Sequence, residues 1–133
     1  MNQILIFDGP LMSVWVYPAQ RMIHHIQKGY NHGAPFREAL DKATDALQLY
    51  RATKWLSDDR ATGPVPKEDE DWAQHTWFPR TKAAGWKHWA IIPPLKVIGH
   101  IKIERLGKQY SELGINTRLF TSPGEAMKWL EEQ

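Results

Sequence analysis

The stretch from Lys54 to Gly85, KWLSDDRATGPVPKEDEDWAQHTWFPRTKAAG, constrains the fold more than any other part of the chain. Thr53 to Ser57 reads as a short buried strand that stops at Asp58-Asp59-Arg60. The loop 61–66 holds Gly63, Pro64 and Pro66, so neither helix nor strand can continue through it. A helix then opens on Glu68, Asp69, Glu70 and Asp71, acids suited to the partial positive charge of a helix N-terminus. It closes with Lys82 and Gly85, a basic last turn followed by a glycine where the chain must leave the helix. At 100° per residue, Trp72, Ala73, Thr76, Trp77, Ala83 and Ala84 share one face, with Arg80 near its middle. Phe78 falls on the opposite, polar side. Pro79 should kink this helix, because its ring meets the carbonyl of His75.

The rest of the chain arranges itself around that strand–loop–helix unit. Ile4 to Phe7, Met12 to Tyr17 and Arg21 to Lys28 read as three strands parted by Asp8-Gly9-Pro10 and Pro18-Ala19-Gln20. Short connections make them an antiparallel meander. His24 and His25 are successive strand residues, so they point to opposite faces and cannot grip one metal together. Pro35 stands where a first helical residue belongs, and Phe36, Ala39, Leu40, Ala43, Leu47 and Tyr50 make the apolar stripe of a helix. His88 to Ile92 is a fifth strand stopped by Pro93-Pro94. Leu95 to Leu113 is mostly helical, with Ile103, Leu106, Tyr110 and Leu113 as its stripe and a start weakened by Gly99 and Gly107. Thr117 to Phe120 is a last strand, and Ser122-Pro123-Gly124-Glu125 is a capping box for a closing helix docked by Ala126, Trp129 and Leu130. The order βββ-α-β-α-β-α-β-α predicts one α/β domain over residues 1–133, with a mixed sheet of about six strands and about four helices.

Composition narrows the function classes. A formal charge of +2, with bases and acids interspersed, gives no clustered basic face for nucleic acid. Without cysteine there is no disulfide, thiol nucleophile or thiolate metal site. No apolar run approaches the roughly 20 residues that span a bilayer, and the N-terminus lacks the basic start of a signal peptide. A cytoplasmic protein without membrane insertion is the expectation.

Four features resemble the STAS-like domains related to bacterial anti-sigma-factor antagonists, in particular a group of small bacterial proteins of that type. They are Trp55-Leu56-Ser57-Asp58 with Arg60 behind it; Glu68-Asp69-Glu70-Asp71-Trp72; Trp77-Phe78-Pro79-Arg80 followed by Ala83-Ala84-Gly85 and Trp89-Ala90-Ile91-Ile92-Pro93; and Arg118-Leu119-Phe120 with Glu125-Ala126-Met127-Lys128-Trp129-Leu130. The resemblance implies a STAS-like fold and a non-catalytic domain that binds protein partners or, in distant members, small ligands such as nucleotides or lipids. Antagonist-type domains carry a phosphorylatable serine in a short Asp-Ser-Ser-Gly-like segment at the start of the helix after a central strand. The matching segment here, Asp58-Asp59-Arg60-Ala61-Thr62-Gly63, has no serine and only Thr62 as a hydroxyl, with two prolines before the helix. That departure counts against kinase-switched signalling.

Asp58, Asp59, Arg60, Thr62 and Arg80 are the ligand-binding candidates, because carboxyl ends of parallel strands form the crevices of open α/β sheets. Paired carboxylates could bind a cation or do acid–base work; the commoner arrangement caps a turn and pairs with Arg60 or Arg80. A guanidinium within an apolar helix face needs a partner, and Arg80 is expected to reach the Asp58–Asp59 end of the strand unless Pro79 turns it to solvent. No HExxH, G-x-S-x-G, P-loop or G-x-G-x-x-G pattern occurs, so no catalytic residue, metal or cofactor is assigned. Trp72, Trp77, Trp89 and Trp129 read as core. Phe78 and Trp86 read either as an exposed interface, such as that of a homodimer, or as aromatics covered by a loop. The expectation is a protein-interaction or regulatory module whose partner is another protein or a second copy. The alternative is a small-molecule or lipid binder with a pocket between helices and sheet.

Overall fold

The computed structural model describes residues 2–133. Its strands are β1 (Ile4–Asp8), β2 (Met12–Tyr17), β3 (Met22–Gln27), β4 (Lys54–Asp58), β5 (His88–Ile92) and β6 (Asn116–Leu119). They lie in one sheet in the order β1-β2-β3-β4-β5-β6. The first two pairings are antiparallel and the next three parallel, which is the expected mixed sheet.

Helices α1 (Gly33–Leu49), α2 (Lys67–Trp72), α3 (Phe78–Ala83) and α4 (Val97–Glu112) fill the crossovers, and α5 (Pro123–Glu131) closes the chain. Since every parallel connection steps the same way along the sheet, right-handed crossovers put α1 to α4 on one face. The packing follows. Met12, Val14, Val16, Ile23, Trp55, Trp89 and Ile91 meet the α1–α4 layer, whereas Tyr17, Met22, Leu56, Ala90 and Ile92 meet Ala126 and Leu130 of α5. Monotonic strand order also leaves the parallel half without the reversal at which open α/β sheets form their ligand crevice.

The second helical stretch departs most from expectation. Pro79 has no N–H to give the His75 carbonyl and its ring would strike that carbonyl, so the chain widens into a π-helical turn over Ala73–Trp77. There the Phe78 N–H donates to the Ala73 carbonyl, five residues back. One extra residue in the turn rotates everything after it by about 100° relative to an ideal helix. Phe78 therefore turns inward and Arg80 swings to the rim. Phe78 and Trp86 are 5% and 2% exposed and join Trp55, Trp77, Trp89 and Tyr110 in one aromatic cluster, so the outward-facing interface read for them is absent.

Gly107 has a packing role rather than weakening a helix start. A β-carbon there would stand 3.2 Å from Thr117 Cγ2 and 3.3 Å from Ile91 Cδ1, so the glycine lets α4 lie close over β5 and β6.

Candidate functional site

The carboxyl end of β4 holds four of the residues singled out in the sequence, Asp58, Asp59, Arg60 and Thr62, and the first three have hydrogen-bonded side chains. Asp58 accepts from Arg60 Nε at 2.9 Å, from its Nη2 at 2.7 Å and from its backbone N–H at 3.3 Å. Burial pushes the Asp58 carboxyl up, but these Arg60 bonds outweigh it and hold the group below its ordinary value. One carboxylate thus caps its own turn and holds its own arginine.

Asp59, the next residue, points to the other side of the sheet. Its Oδ1 lies 2.8 Å from His25 Nε2, and His25 Nδ1 lies 2.9 Å from Trp55 Nε1. An indole N–H can only donate, so Nδ1 must be the acceptor and the ring proton must sit on Nε2, donating to Asp59. Both ring nitrogens are spent in a buried Trp55–His25–Asp59 chain. Because the two aspartates diverge across the strand, they cannot share one cation. Among the described residues no group of three or more histidine, aspartate or glutamate side chains is arranged to hold a metal.

Thr62 donates its backbone N–H to the Asp59 carbonyl at 3.0 Å, and its hydroxyl oxygen is buried without a hydrogen-bond partner. Arg80 is not part of this constellation. It pairs with Asp41 at 3.1 Å and with Asp45, both on α1, across a half-exposed rim. The lock between Arg80 and the Asp58–Asp59 end is thereby corrected: the π-turn carries the guanidinium round to α1.

Sequence reasoning missed two parts of this edge. Asp69 is buried and works outside its own helix, with Oδ2 accepting the Gly33 N–H at 2.8 Å and Oδ1 accepting Arg37 Nε at 3.1 Å. It caps α1 from a distance, and the Arg37 guanidinium lies over the Trp72 ring. The available signal was His32 at the N-cap of α1, a residue that supplies no cap hydrogen bond and leaves that helix needing an outside acceptor. The His25–Asp59 bond had no signal, since their separation of 34 residues becomes a contact only when β3 and β4 pair.

The layer between sheet and helices is filled. Trp77 Nε1 donates to Thr44 Oγ1 at 2.9 Å, Trp89 Nε1 to Ser57 Oγ at 2.7 Å and Trp86 Nε1 to the His88 carbonyl at 3.0 Å. Hollows lie elsewhere on the surface. One of about 190 Å³ sits at the carboxyl edge between Arg60, Pro93, Pro94, Leu95, His100 and Phe120. A broader, open one of about 710 Å³ lies at the opposite, amino edge beside Gln20, Arg21, Lys54 and Glu131.

The surface anomaly is on α4 and just before it. Leu95, Val97, Ile98 and Ile101 are 81%, 73%, 73% and 50% exposed. By helical spacing the last three straddle the direction opposite Ile103, Gly107 and Tyr110, which face the core.

Comparison with protein-family models, curated proteins and solved structures returns no match. Among the described residues no helix is long and apolar enough to cross a membrane.

Proposed function

We propose that this chain is a cytoplasmic, non-catalytic interaction module of STAS-like type, working by docking rather than turnover. The observation that carries the reading is the solvent-facing aliphatic run of Leu95, Val97, Ile98 and Ile101, pointed away from the core it could have joined. The carboxyl edge supports it from the other side. Asp58 is held by Arg60, His25 has both nitrogens bonded, and neither aspartate is left as a free general base. The sequence resemblance to anti-sigma-factor-antagonist-like proteins points the same way. The buried Thr62 hydroxyl argues against regulation by its phosphorylation.

A pocket between helices and sheet, the other function the sequence admits, is disfavoured by the tryptophans and Tyr110 that occupy that layer. The docking reading is tested by placing a photo-crosslinking residue at position 98 in living cells, with position 128 on α5 as an exposed control. Covalent adducts from position 98 and none from position 128 are expected. The absence of any adduct from position 98 contradicts the reading.

A further inference from the structure

The hollow of about 190 Å³ at the carboxyl edge joins apolar walls to one arginine. Ile92, Pro93, Pro94 and Phe120 supply the apolar surface, and Arg60 and Thr121 bring polar groups to it. Contacts on both sides fix its shape. The Leu95 N–H donates to the Arg60 carbonyl at 3.3 Å, tying the link after β5 to the end of β4. A β-carbon on Gly99 would stand 2.9 Å from Pro94 Cβ, so the glycine lets the first turn of α4 rest directly on the proline wall. The hollow therefore forms between the links that leave β4, β5 and β6, without needing a reversal of strand order.

Arg60 has room there for a second partner. Asp58, itself 4% exposed, takes Nε and Nη2 and so fixes the plane of the guanidinium. The end of the fork that carries Nη1 is uncommitted, and 43% of the side chain stays exposed. A planar carboxylate matches that remaining edge, and a guanidinium already oriented by a buried partner loses little freedom on binding it.

We infer that this hollow binds a small monocarboxylate, with its carboxylate on the free edge of Arg60 and a short apolar body against Phe120 and the prolines. Charge decides against phosphate and dicarboxylates. Asp58 already balances Arg60, and Glu104 lies 3.7 Å from His100, against one further cation in Arg118 over the Phe120 ring. With charges near balance, recognition rests on oriented donors and apolar walls rather than on a cationic field, and a dianion gains nothing. Size decides against a large ligand, since drug-sized molecules occupy pockets of roughly 300 Å³ or more. Free short-chain acids and the carboxyl terminus of a polypeptide ending in an apolar residue share the required chemistry. The inference does not use the crest of α4, so failure of the crosslinking test leaves it standing.

The test is amide NMR titration of the full chain with isovalerate, isoamyl alcohol, acetate and inorganic phosphate. Isovalerate should shift the Leu95, His100 and Thr121 amides saturably, with a Kd on the order of 1 mM. The alcohol, acetate and phosphate should each bind roughly tenfold or more weakly. Arg60→Lys keeps a charge beside Asp58 but loses the fork. Thr121→Glu sets a carboxylate at an exposed position of the rim without touching the Arg60–Asp58 pair. Each variant should weaken isovalerate roughly tenfold or more while the rest of its spectrum remains that of the folded protein. Equal binding of the alcohol, unchanged binding by Arg60→Lys, or no saturable shift at the hollow overturns the inference. A leucine-ending tripeptide and its carboxyl-terminal amide separate the two sources. Tighter binding by the tripeptide than by isovalerate, lost on amidation, supports a chain terminus; no gain over isovalerate supports a free acid.

Discussion

His25 illustrates how a histidine beside an aspartate can be excluded as a base by its second nitrogen. Trp55 occupies Nδ1 and Asp59 occupies Nε2, so the trio is a buried strut between β3 and β4. Asp59→Ala would leave the Nε2–H without an acceptor, and urea denaturation should register a loss of about 1–3 kcal/mol. An unchanged midpoint would mean the bond does not form in solution. His24, on the other face, sits against Trp15 and Tyr17 with neither ring nitrogen bonded, and burial pulls its pKa from 6.5 down to about 4. Its folded value lies below its unfolded one, so the unfolded chain binds the proton first as pH drops. The His24 contribution to stability should therefore fall between about pH 6.5 and pH 4, by a few kcal/mol at ~1.4 kcal/mol per unit, and level off below, where loss of the Asp58–Arg60 pair takes over. His24→Phe should remove that acid-dependent loss from thermal melts taken across the window. A melt profile identical to wild type would refute the assignment. The sequence had already placed the two histidines on opposite faces, because strand alternation is local. What each meets there depends on strand pairing and was not legible.

The helical stretch after β4 shows where local reasoning succeeds and where it stops. Pro79 signalled a disturbance and the disturbance is there, yet it takes the form of a π-turn rather than a kink in an otherwise regular helix. A wheel drawn at constant pitch was therefore out of phase beyond Trp77, which misplaced Phe78 and Arg80 together. Arg80 bridges Asp41 and Asp45 at the rim, and Arg80→Ala should cost well under ~1 kcal/mol in a thermal melt, as exposed ion pairs do. A larger loss would mean the guanidinium is more deeply engaged than its half-exposed position indicates. Asp69 is the opposite case, a surface-looking acid that caps α1 and holds Arg37 while buried. Asp69→Ala should destabilise by about 1–2 kcal/mol on urea titration, with hydrogen exchange rising first in the opening turn of α1. Uniform protection of that turn in the variant would show that the cap is dispensable.

Taken as one object, the molecule turns its chemistry-bearing groups inward and leaves aliphatic surface outside. Mixed-sheet topology was legible because turn residues and helical stripes punctuate the chain cleanly, and a chain of single crossovers admits few arrangements. The exposed crest of α4 was not. Of the expected stripe Ile103, Leu106 and Tyr110 pack on the core, while Leu113, just past the helix end, is 52% exposed; Val97, Ile98 and Ile101 are apolar residues in the same helix, and periodicity alone does not say which apolar side goes to solvent. Phe78 and Trp86 are buried in the aromatic cluster, whereas the aliphatic crest of α4 faces solvent.

Everything proposed about docking depends on those aliphatics having no work to do inside the fold. A urea titration of Ile98→Glu/Ile101→Glu beside wild type tests this most directly. A midpoint equivalent to within ~0.5 kcal/mol is expected, as for surface substitutions that touch nothing. A loss of about 2 kcal/mol or more would mean these side chains are packed in solution, and the docking face would have no basis.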